Sequence, residues 1–539
     1  MKGDVNNITE KVFYFILIVY LILITLSAFG FFWKYSFRFE IFAFITAIFG
    51  ISIISKQELI KNDSPNSKNK KYHFLLILSA LFFIFLIRII PYINNSIPLG
   101  YDAGIYKYGV EKGLQNLDEW ILTGGLEPGF LYLAAFLKTF FSTNFILTYL
   151  LIFFCIITGT IIYITTSKYW NKKVGLIALF LYSISLIQFK TFVFMYYKNI
   201  LGIILILFSF YLYESYEKEI TIRKRKLLIF LFIITGAILA SIHRPSFYIF
   251  GIVYTIYSIV SPYEKNIYHS KKLFINFLIG LSMIILGLLF YIGSFSSAIT
   301  NMIEPVLEGF VNTGESPGTF INILTYQYSI LFYLPFAIMG LFYQARKREF
   351  NLIFFFTIIT GIIVYFEYFF FNRFIIFLDI GLIITSSLSL YLIMKENKLG
   401  ILIPVIVILF SGFLIVNESI DTKPLINENE LAVIEHLNNT ETDSFVMSTS
   451  SIYSTWILGY SNRTTIAPGL FDYNQNSLAE WEEFWITEDI NYIKYFMNPY
   501  KTPLYIFIGE KQKDNLKSFP ECFTTYYEKE NNRIYEYVC

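Results

Sequence analysis

The sequence predicts a polytopic α-helical membrane protein of about thirteen spans, carrying an extracytoplasmic α/β domain at its C-terminal end. Three observations predict it. Apolar runs approaching membrane-crossing length recur from residue 12 to residue 416. The chain is 55% hydrophobic and only 15% charged, where soluble domains carry roughly 25% charged residues. From about residue 417 the composition turns abruptly to Asn, Glu, Asp, Thr and Ser.

A helix needs about 20 apolar residues to cross the hydrocarbon layer. Candidate spans lie near 12–33, 36–55, 72–90, 144–166, 174–190, 192–214, 226–243, 245–262, 273–294, 326–343, 351–370, 373–394 and 399–416. The first is too long for a signal-peptide core and no small-residue cleavage pattern follows it, so it reads as a span. The chain therefore divides into a membrane domain, 1–416, and a soluble domain, 417–539.

Orientation follows from where Lys and Arg collect in short loops. Six clusters stand out, among them Lys56 to Lys71, Lys168 to Lys173, Lys218 to Lys226 and Arg346 to Arg348. Placing all six in the cytoplasm makes the spans alternate, provided that 128–142 is a re-entrant or membrane-surface helix. The loops 91–127 and 295–325 and the tail 417–539 then share the outer face, away from nucleotide sugars.

Charge and cysteine content exclude other classes. A net charge of +2 with no basic face argues against a nucleic-acid partner. Three cysteines without a CxxC pair make neither a zinc site nor a stapled scaffold. No phosphate-loop motif is present.

In the tail, Glu428–Leu437 and Asp489–Phe496 carry apolar residues at helical spacing, and Ser444–Met447 and Leu504–Ile508 read as buried strands. The segment Cys522 to Cys539 reads as a hairpin. A turn centred between Glu530 and Asn531 sets the two cysteines opposite each other, suiting a disulfide in an oxidising exterior. A one-residue slip in register would part them. Cys155 lies in a span and reads as packing. Asn94, Asn438 and Asn462 each open an N-x-S/T sequon on the outer side.

Acids near a bilayer are expensive and point to function. Asp102, in Gly100-Tyr101-Asp102-Ala103-Gly104-Ile105-Tyr106, lies in the first long outer loop. Its carboxylate suits proton removal from a hydroxyl or the holding of a divalent ion; the plainer alternative is a cap on the helix starting near Ala103. Tyr101 and Tyr106 flank it as candidate substrate contacts. Glu127 precedes Pro128 at the next helix start, where an acid is ordinary dipole complementarity, but with Asp102 it brackets one outer loop as proton transfer near a membrane surface would require, so it stands as a second candidate catalytic acid. Lys198, His243, Arg244 and Arg373 stand at outer corners against the positive-inside trend. Together they suit a lipid-linked phosphate; singly, each is equally a snorkelling side chain. Loop 295–325, with Glu304, Glu308 and Glu315, has the Gly and Pro content of a lid, although a passive surface loop is commoner.

These residues sit in GYDAGIYKYGVEKG, GLEPGFLYLAAF, YYKNILG, SIHRPSF and NRFIIFLDI. In layout the chain resembles the GT-C superfamily of membrane glycosyltransferases: an acid in the first long outer loop, many spans and a C-terminal outer domain. The resemblance implies a polyprenyl-phosphate or polyprenyl-pyrophosphate sugar donor, and gives Asp102 the part of catalytic base or metal ligand, the metal then being Mg or Mn. The chain departs from the pattern at three points. No DxD or Asp-Glu pair adjoins Asp102. Lys198 stands in a corner where some relatives carry a second acid. Ser454-Thr455-Trp456-Ile457-Leu458-Gly459-Tyr460 only faintly echoes the WWDYG signature of oligosaccharyltransferases. Neither a metal requirement nor transfer of a whole oligosaccharide to asparagine therefore follows.

The expected function is transfer of a sugar from a polyprenyl-phosphate donor to a glycolipid, polysaccharide or glycoprotein acceptor on the outer face, in contact with membrane lipid. The rival is a transporter, flippase or polymerase of lipid-linked saccharides, using the same cations. Transporters usually show inverted repeats and midplane polar sites; no clear repeat is seen, and the notable polar residues lie at one surface.

Overall fold

The computed structural model describes residues 2–28, 39–55, 57–58, 67–113, 126–264, 269–294, 321, 329–368, 371–396, 398–448, 450–467, 475–512 and 514–539. The expected lid 295–325 lies outside them except for Ile321, as does 114–125 of the first outer loop.

Among the described residues the regular structure of the membrane part is all helical. It comprises α1 Lys2–Ala28, α2 Phe39–Ile54, α3 Ser67–Ile89, α4 Ala103–Lys112, α5 Pro128–Lys138 and α6 Thr143–Tyr169. Then come α7 Lys172–Ser183, α8 Leu186–Val193, α9 Tyr197–Lys218, α10 Ile222–Ile242, α11 Arg244–Glu264 and α12 His269–Leu288. The series closes with α13 Leu334–Lys347, α14 Leu352–Tyr365, α15 Phe371–Glu396 and α16 Leu402–Asp421.

Among the described residues seven helices are long and apolar enough to cross a membrane, those at α3, α6, α9, α10, α12, α15 and α16; the bent pair α7–α8 makes eight. Helices α2 and α14 have only 16 and 14 residues. The segment expected as one span at 174–190 is broken at Ile184 and Ser185 and bends by 52°. The break has a local cause: the Ser185 side chain accepts from Gln188 N–H and starts a new helix. At 128–142, α5 has only 11 residues, too few to cross.

Helix α15 is the hub, its most apolar 18-residue stretch wholly buried inside the protein. Small polar residues let its neighbours approach, as where Ser386 Oγ donates to the Tyr333 carbonyl at 2.9 Å. Phe74 and Phe82 of α3, Phe153 of α6 and Phe277 of α12 are exposed. Such outward aromatic faces suit acyl chains, while the helices keep their backbone polar groups internally bonded.

The tail contains α17 Glu428–His436, β1 Phe445–Ser448, α18 Ser451–Ser461, β2 Thr464–Ile466, α19 Leu478–Ile486, α20 Ile490–Met497, β3 Leu504–Ile508, β4 Phe523–Lys529 and β5 Asn532–Tyr537. Its sheet has the order β2-β1-β3-β5-β4, with β2, β1 and β3 parallel and β3, β5 and β4 antiparallel. Strand β3 is buried on both faces. Leu504, Ile506 and Ile508 meet Trp481, Phe484 and Phe496 on one side, while Tyr505 and Phe507 join the core shared with the membrane part.

The hairpin pairs Lys529 with Asn532, the register expected from the turn, but an irregularity between Thr525 and Tyr527 slips it by one residue, so that Phe523 faces Tyr537. Cys522 and Cys539 nevertheless form a disulfide, with Cα atoms 4.9 Å apart. Cys539 lies beyond the last paired residue, and the Val538 N–H donates to the Cys522 carbonyl at 3.0 Å, which keeps the two ends together. Cys155 is buried in α6, as expected for packing. The sequon side chains Asn438 and Asn462 are tied to the fold: Asn438 Nδ2 donates to the Tyr460 carbonyl at 2.7 Å, and Asn462 Nδ2 donates to Asn438 Oδ1 at 3.0 Å.

Candidate active site

The predicted outer residues converge around the starts of α4, α5, α9, α11 and α15. Asp102 occupies the N-cap position of α4, yet its side chain makes no capping bond. Only its backbone carbonyl serves the helix, accepting from Tyr106 N–H at 3.0 Å. The carboxylate is thus not spent on the cap that its sequence position suggested. Burial pushes its pKa above the ordinary carboxylate range, against the opposing pull of Arg373 and Lys198. An acid with two cations in electrostatic reach and a raised pKa is suited to accept a proton.

Its loop is held from two sides. Gly100 lies against the corner after α8, where a Cβ would come within 2.6 Å of the Phe194 carbonyl carbon and oxygen; a side chain there would push the loop off. On the other side α4 meets α18 of the tail. A Cβ on Gly104 would fall 1.8 Å from the Thr455 oxygen, and one on Gly459 2.2 Å from the Gly104 oxygen. Thr455 Oγ1 donates to the Tyr101 carbonyl at 2.6 Å, and the Tyr101 hydroxyl lies 3.2 Å from Ser454 Oγ. The Ser454–Tyr460 segment therefore forms the floor beneath the Asp102 loop.

Glu127 is almost wholly buried at the N-cap of α5, and it too makes no capping bond. Its Oε2 accepts from Lys198 Nζ at 2.7 Å. Its Oε1 accepts from the Arg244 backbone N–H at 3.3 Å and lies 3.7 Å from Arg244 Nε. Burial would raise its pKa, but Lys198, His243 and Arg244 outweigh that and hold it at about 2. His243 is buried between α10 and α11, its Nδ1 2.6 Å from Ser246 Oγ. Burial lowers its pKa to about 3 against the pull of Glu127, with Lys198, Arg373 and Arg244 adding to the fall. His243 is thus neutral at physiological pH and joins the cluster as a hydrogen-bonding group, not a cation.

Arg373, in the first turn of α15, sets its guanidinium 5.9 Å from the centre of the Tyr196 ring. Tyr106 lies deeper than a contact residue. Its ring is buried and packs 5.3 Å from Phe130 and 5.7 Å from Tyr197, centre to centre, so it supports the corner that carries Lys198.

Four residues to which the sequence assigns no site role belong to the same framework. Ser454 and Thr455 act through contacts more than 350 residues apart in the chain, which no local pattern encodes. Arg88 is fully buried, 5.7 Å and 5.8 Å from the ring centres of Tyr182 and Phe192. Asp379 is a lone acid inside the apolar run of α15; that signal was in the sequence, but its partners were not.

For a divalent cation the described donors are poor. No cluster of three His, Cys, Asp or Glu groups occurs among the described residues. Both Glu127 oxygens are engaged by Lys198 and Arg244, which leaves Asp102 as a single ligand where Mg or Mn wants several oxygens.

No known protein family matches the sequence, and no curated protein is similar to it. Solved structures do match, and they show the fold, which is shared with the following membrane enzymes. The apo oligosaccharyltransferase of Archaeoglobus fulgidus matches with a TM-score of 0.63 at 13% identity, over 82% of this chain and 70% of that one. The same organism's AglB, in complex with an inhibitory peptide and a dolichol-phosphate, matches with a TM-score of 0.58 at 14% identity over 82% and 70%. ArnT from Cupriavidus metallidurans in the apo state matches with a TM-score of 0.57 at 9% identity, over 88% of this chain and 99% of that one. A further A. fulgidus structure is a complex with Zn and sulfate.

Proposed function

We propose that this chain is a membrane glycosyltransferase that moves a sugar from a polyprenyl-phosphate or polyprenyl-pyrophosphate donor to a glycolipid, polysaccharide or glycoprotein acceptor. The observation that carries the reading is the uncapped carboxylate of Asp102, pKa raised, within electrostatic reach of Arg373 and Lys198. The GT-C fold supports it, as do the dolichol-phosphate held by AglB and the acceptor peptide tethered in another A. fulgidus structure. Neither the fold nor the site favours a flippase.

In this reading the lipid phosphate lies against Arg373 and Lys198, with Arg244 beside them. Asp102 takes the proton of the acceptor hydroxyl as its oxygen bonds to the sugar's anomeric carbon. The bond from that carbon to the phosphate oxygen breaks, and the lipid phosphate leaves with the electron pair, its charge balanced by the cations. Glu127 acts as counter-ion and holds Lys198 and Arg244 in place. Tyr101, anchored on Ser454, lines the acceptor side. A divalent cation, if required, would have to find ligands beyond the described residues.

The topology that suits this reading has thirteen crossings, a cytoplasmic N-terminus and an extracytoplasmic tail. The tail then covers the same face as Asp102 and shapes acceptor access. The decisive experiment is Asp102→Asn, assayed with a radiolabelled polyprenyl-phosphate sugar and a membrane lipid extract as acceptor. Loss of transfer with retained donor binding is expected. Normal glycan extension by this variant would sink the assignment.

A further inference from the structure

One buried carboxylate holds the bent pair α7–α8 to α15, and the proposed chemistry does not use it. Asp379 is fully buried. It accepts hydrogen bonds from Ser185 Oγ at 2.8 Å, from Gln188 Nε2 at 2.9 Å and from the Tyr333 hydroxyl. Gln188 Nε2 also reaches the Ile376 carbonyl at 3.1 Å. An acid inside the apolar layer is costly, and such residues persist where they serve function. Here three donors from two other segments engage both of its oxygens, which makes the arrangement specific in geometry.

What those donors carry is informative. Ser185 and Gln188 belong to the break and first turn of α8. Beyond α8 the chain turns through Phe194, Met195 and Tyr196 into α9, whose second residue is Lys198. The turn is tightly bonded: Phe194, Met195 and Tyr196 N–H groups reach the Lys190, Phe192 and Thr191 carbonyls at 2.8, 2.9 and 3.0 Å. Met195 is buried at φ 57°, a conformation that non-glycine residues keep only where packing enforces it. The Asp102 loop rests on this turn through Gly100 and the Phe194 carbonyl. Movement of α8 is therefore passed to both Lys198 and Asp102. Arg373 precedes Asp379 by six residues on α15, about 9 Å along a helix axis.

We propose that Asp379 is a positioning residue that fixes α8 against α15, and so sets the spacing between Arg373 on one side and Lys198 and Asp102 on the other. The inference rests on the reading of those three groups as the transfer site.

The test compares the full-length protein with Asp379→Asn, with the double variant Asp379→Asn/Gln188→Glu, and with Asp379→Ala. The double variant moves the carboxylate to the facing helix and keeps an acceptor–donor link between them. Transfer from a radiolabelled polyprenyl-phosphate sugar is measured per monodisperse folded molecule. Asp379→Asn should lower kcat/KM by about a hundredfold, the scale of an ångström misplacement at a reacting centre, and the double variant should recover most of the loss. Unchanged kcat/KM in Asp379→Asn overturns the proposal, because a merely stabilising contact changes yield and melting but not turnover. Failure of the swap to rescue also overturns it, because a restored link between α8 and α15 would then not restore transfer.

A second readout is independent of activity. Spin labels at Val193→Cys and Asn372→Cys, in a Cys155→Ala background, report the spacing of α8 and α15. Asp379→Ala should shift or broaden their distance distribution, and an unchanged distribution overturns the proposal. If the unsubstituted protein transfers no sugar at all, the glycosyltransferase reading fails, and this distance alone decides the role of Asp379.

Discussion

Glu127 and Lys198 form a buried ion pair, Nζ to Oε2 2.7 Å, with only 2% of the Glu127 side chain exposed. The pair joins the start of α5 to the start of α9, and the second oxygen of Glu127 binds Arg244 at the start of α11. Removing one partner of a buried pair leaves the other charge uncompensated, at a cost of about 3–5 kcal/mol. Glu127→Gln should therefore lower the melting temperature of the solubilised protein and, with Lys198 no longer held, raise the KM for the lipid-phosphate donor. An unaltered melting curve and an unaltered KM would together remove Glu127 from the site.

The raised pKa of Asp102 makes a directional prediction. A base must be ionised to work, so the acid limb of kcat/KM should lie above the ordinary carboxylate value of 3.8. Burial is the largest cause of the shift and Arg373 the largest opposing one. Substituting Arg373→Gln removes that opposition and should move the limb to still higher pH, besides weakening donor binding. A pH–rate profile of both proteins checks it; a limb that stays fixed, or moves down, contradicts the assignment of base and partner.

Much of this site was legible in the sequence because it depends on residues that break a rule of their surroundings. Acids beside apolar helices, and cations at corners away from the basic loop clusters, are anomalies that a hydropathy reading exposes. Asp102, Glu127, Lys198, His243, Arg244 and Arg373 were marked in this way, and they converge. What stayed hidden depends on approach between distant segments. The bend between α7 and α8 follows from a serine cap and from Asp379, 194 residues away from Ser185. Helix α18 was not anticipated, since all of its residues from Tyr453 to Ser461 are buried and it shows no amphipathic period to read. The charge of His243 is hidden for the same reason: a sequence gives a residue type, but burial decides its protonation.

His243 also governs acid stability. Its folded pKa of about 3 lies below the ordinary 6.5, so the unfolded chain binds its proton first. The stability this group contributes is complete above 6.5 and is lost as pH falls from 6.5 toward 3. Glu127, depressed from 4.5 to about 2, contributes stability above 4.5 that is lost at lower pH. Asp102, shifted upward by burial, works in the opposite sense. Between pH 6.5 and 4.5 the difference between the native protein and His243→Gln isolates the histidine. The variant should lose less stability across that interval in chemical denaturation. Parallel losses in the two proteins would show that His243 is charged when folded.

The docking of the tail on the Asp102 loop makes the last prediction. Helices α4 and α18 approach so closely at Gly104 and Gly459 that each glycine's absent Cβ would overlap the other helix's backbone. Backbone atoms cannot swing aside as a side-chain tip can, so even a small substituent must separate the helices. Gly104→Val should strain the Tyr101 and Thr455 contact that positions Asp102, since the same helix start carries both. The expected result is a loss of transfer with donor binding kept, together with faster proteolysis of the tail beyond Asp421. Ser454→Ala removes only a hydroxyl 3.2 Å from Tyr101 and should leave the tail protected while changing the KM for the acceptor alone. If Gly104→Val kept full activity and a protease-resistant tail, the close approach of α4 and α18 would not be what holds Asp102 in place.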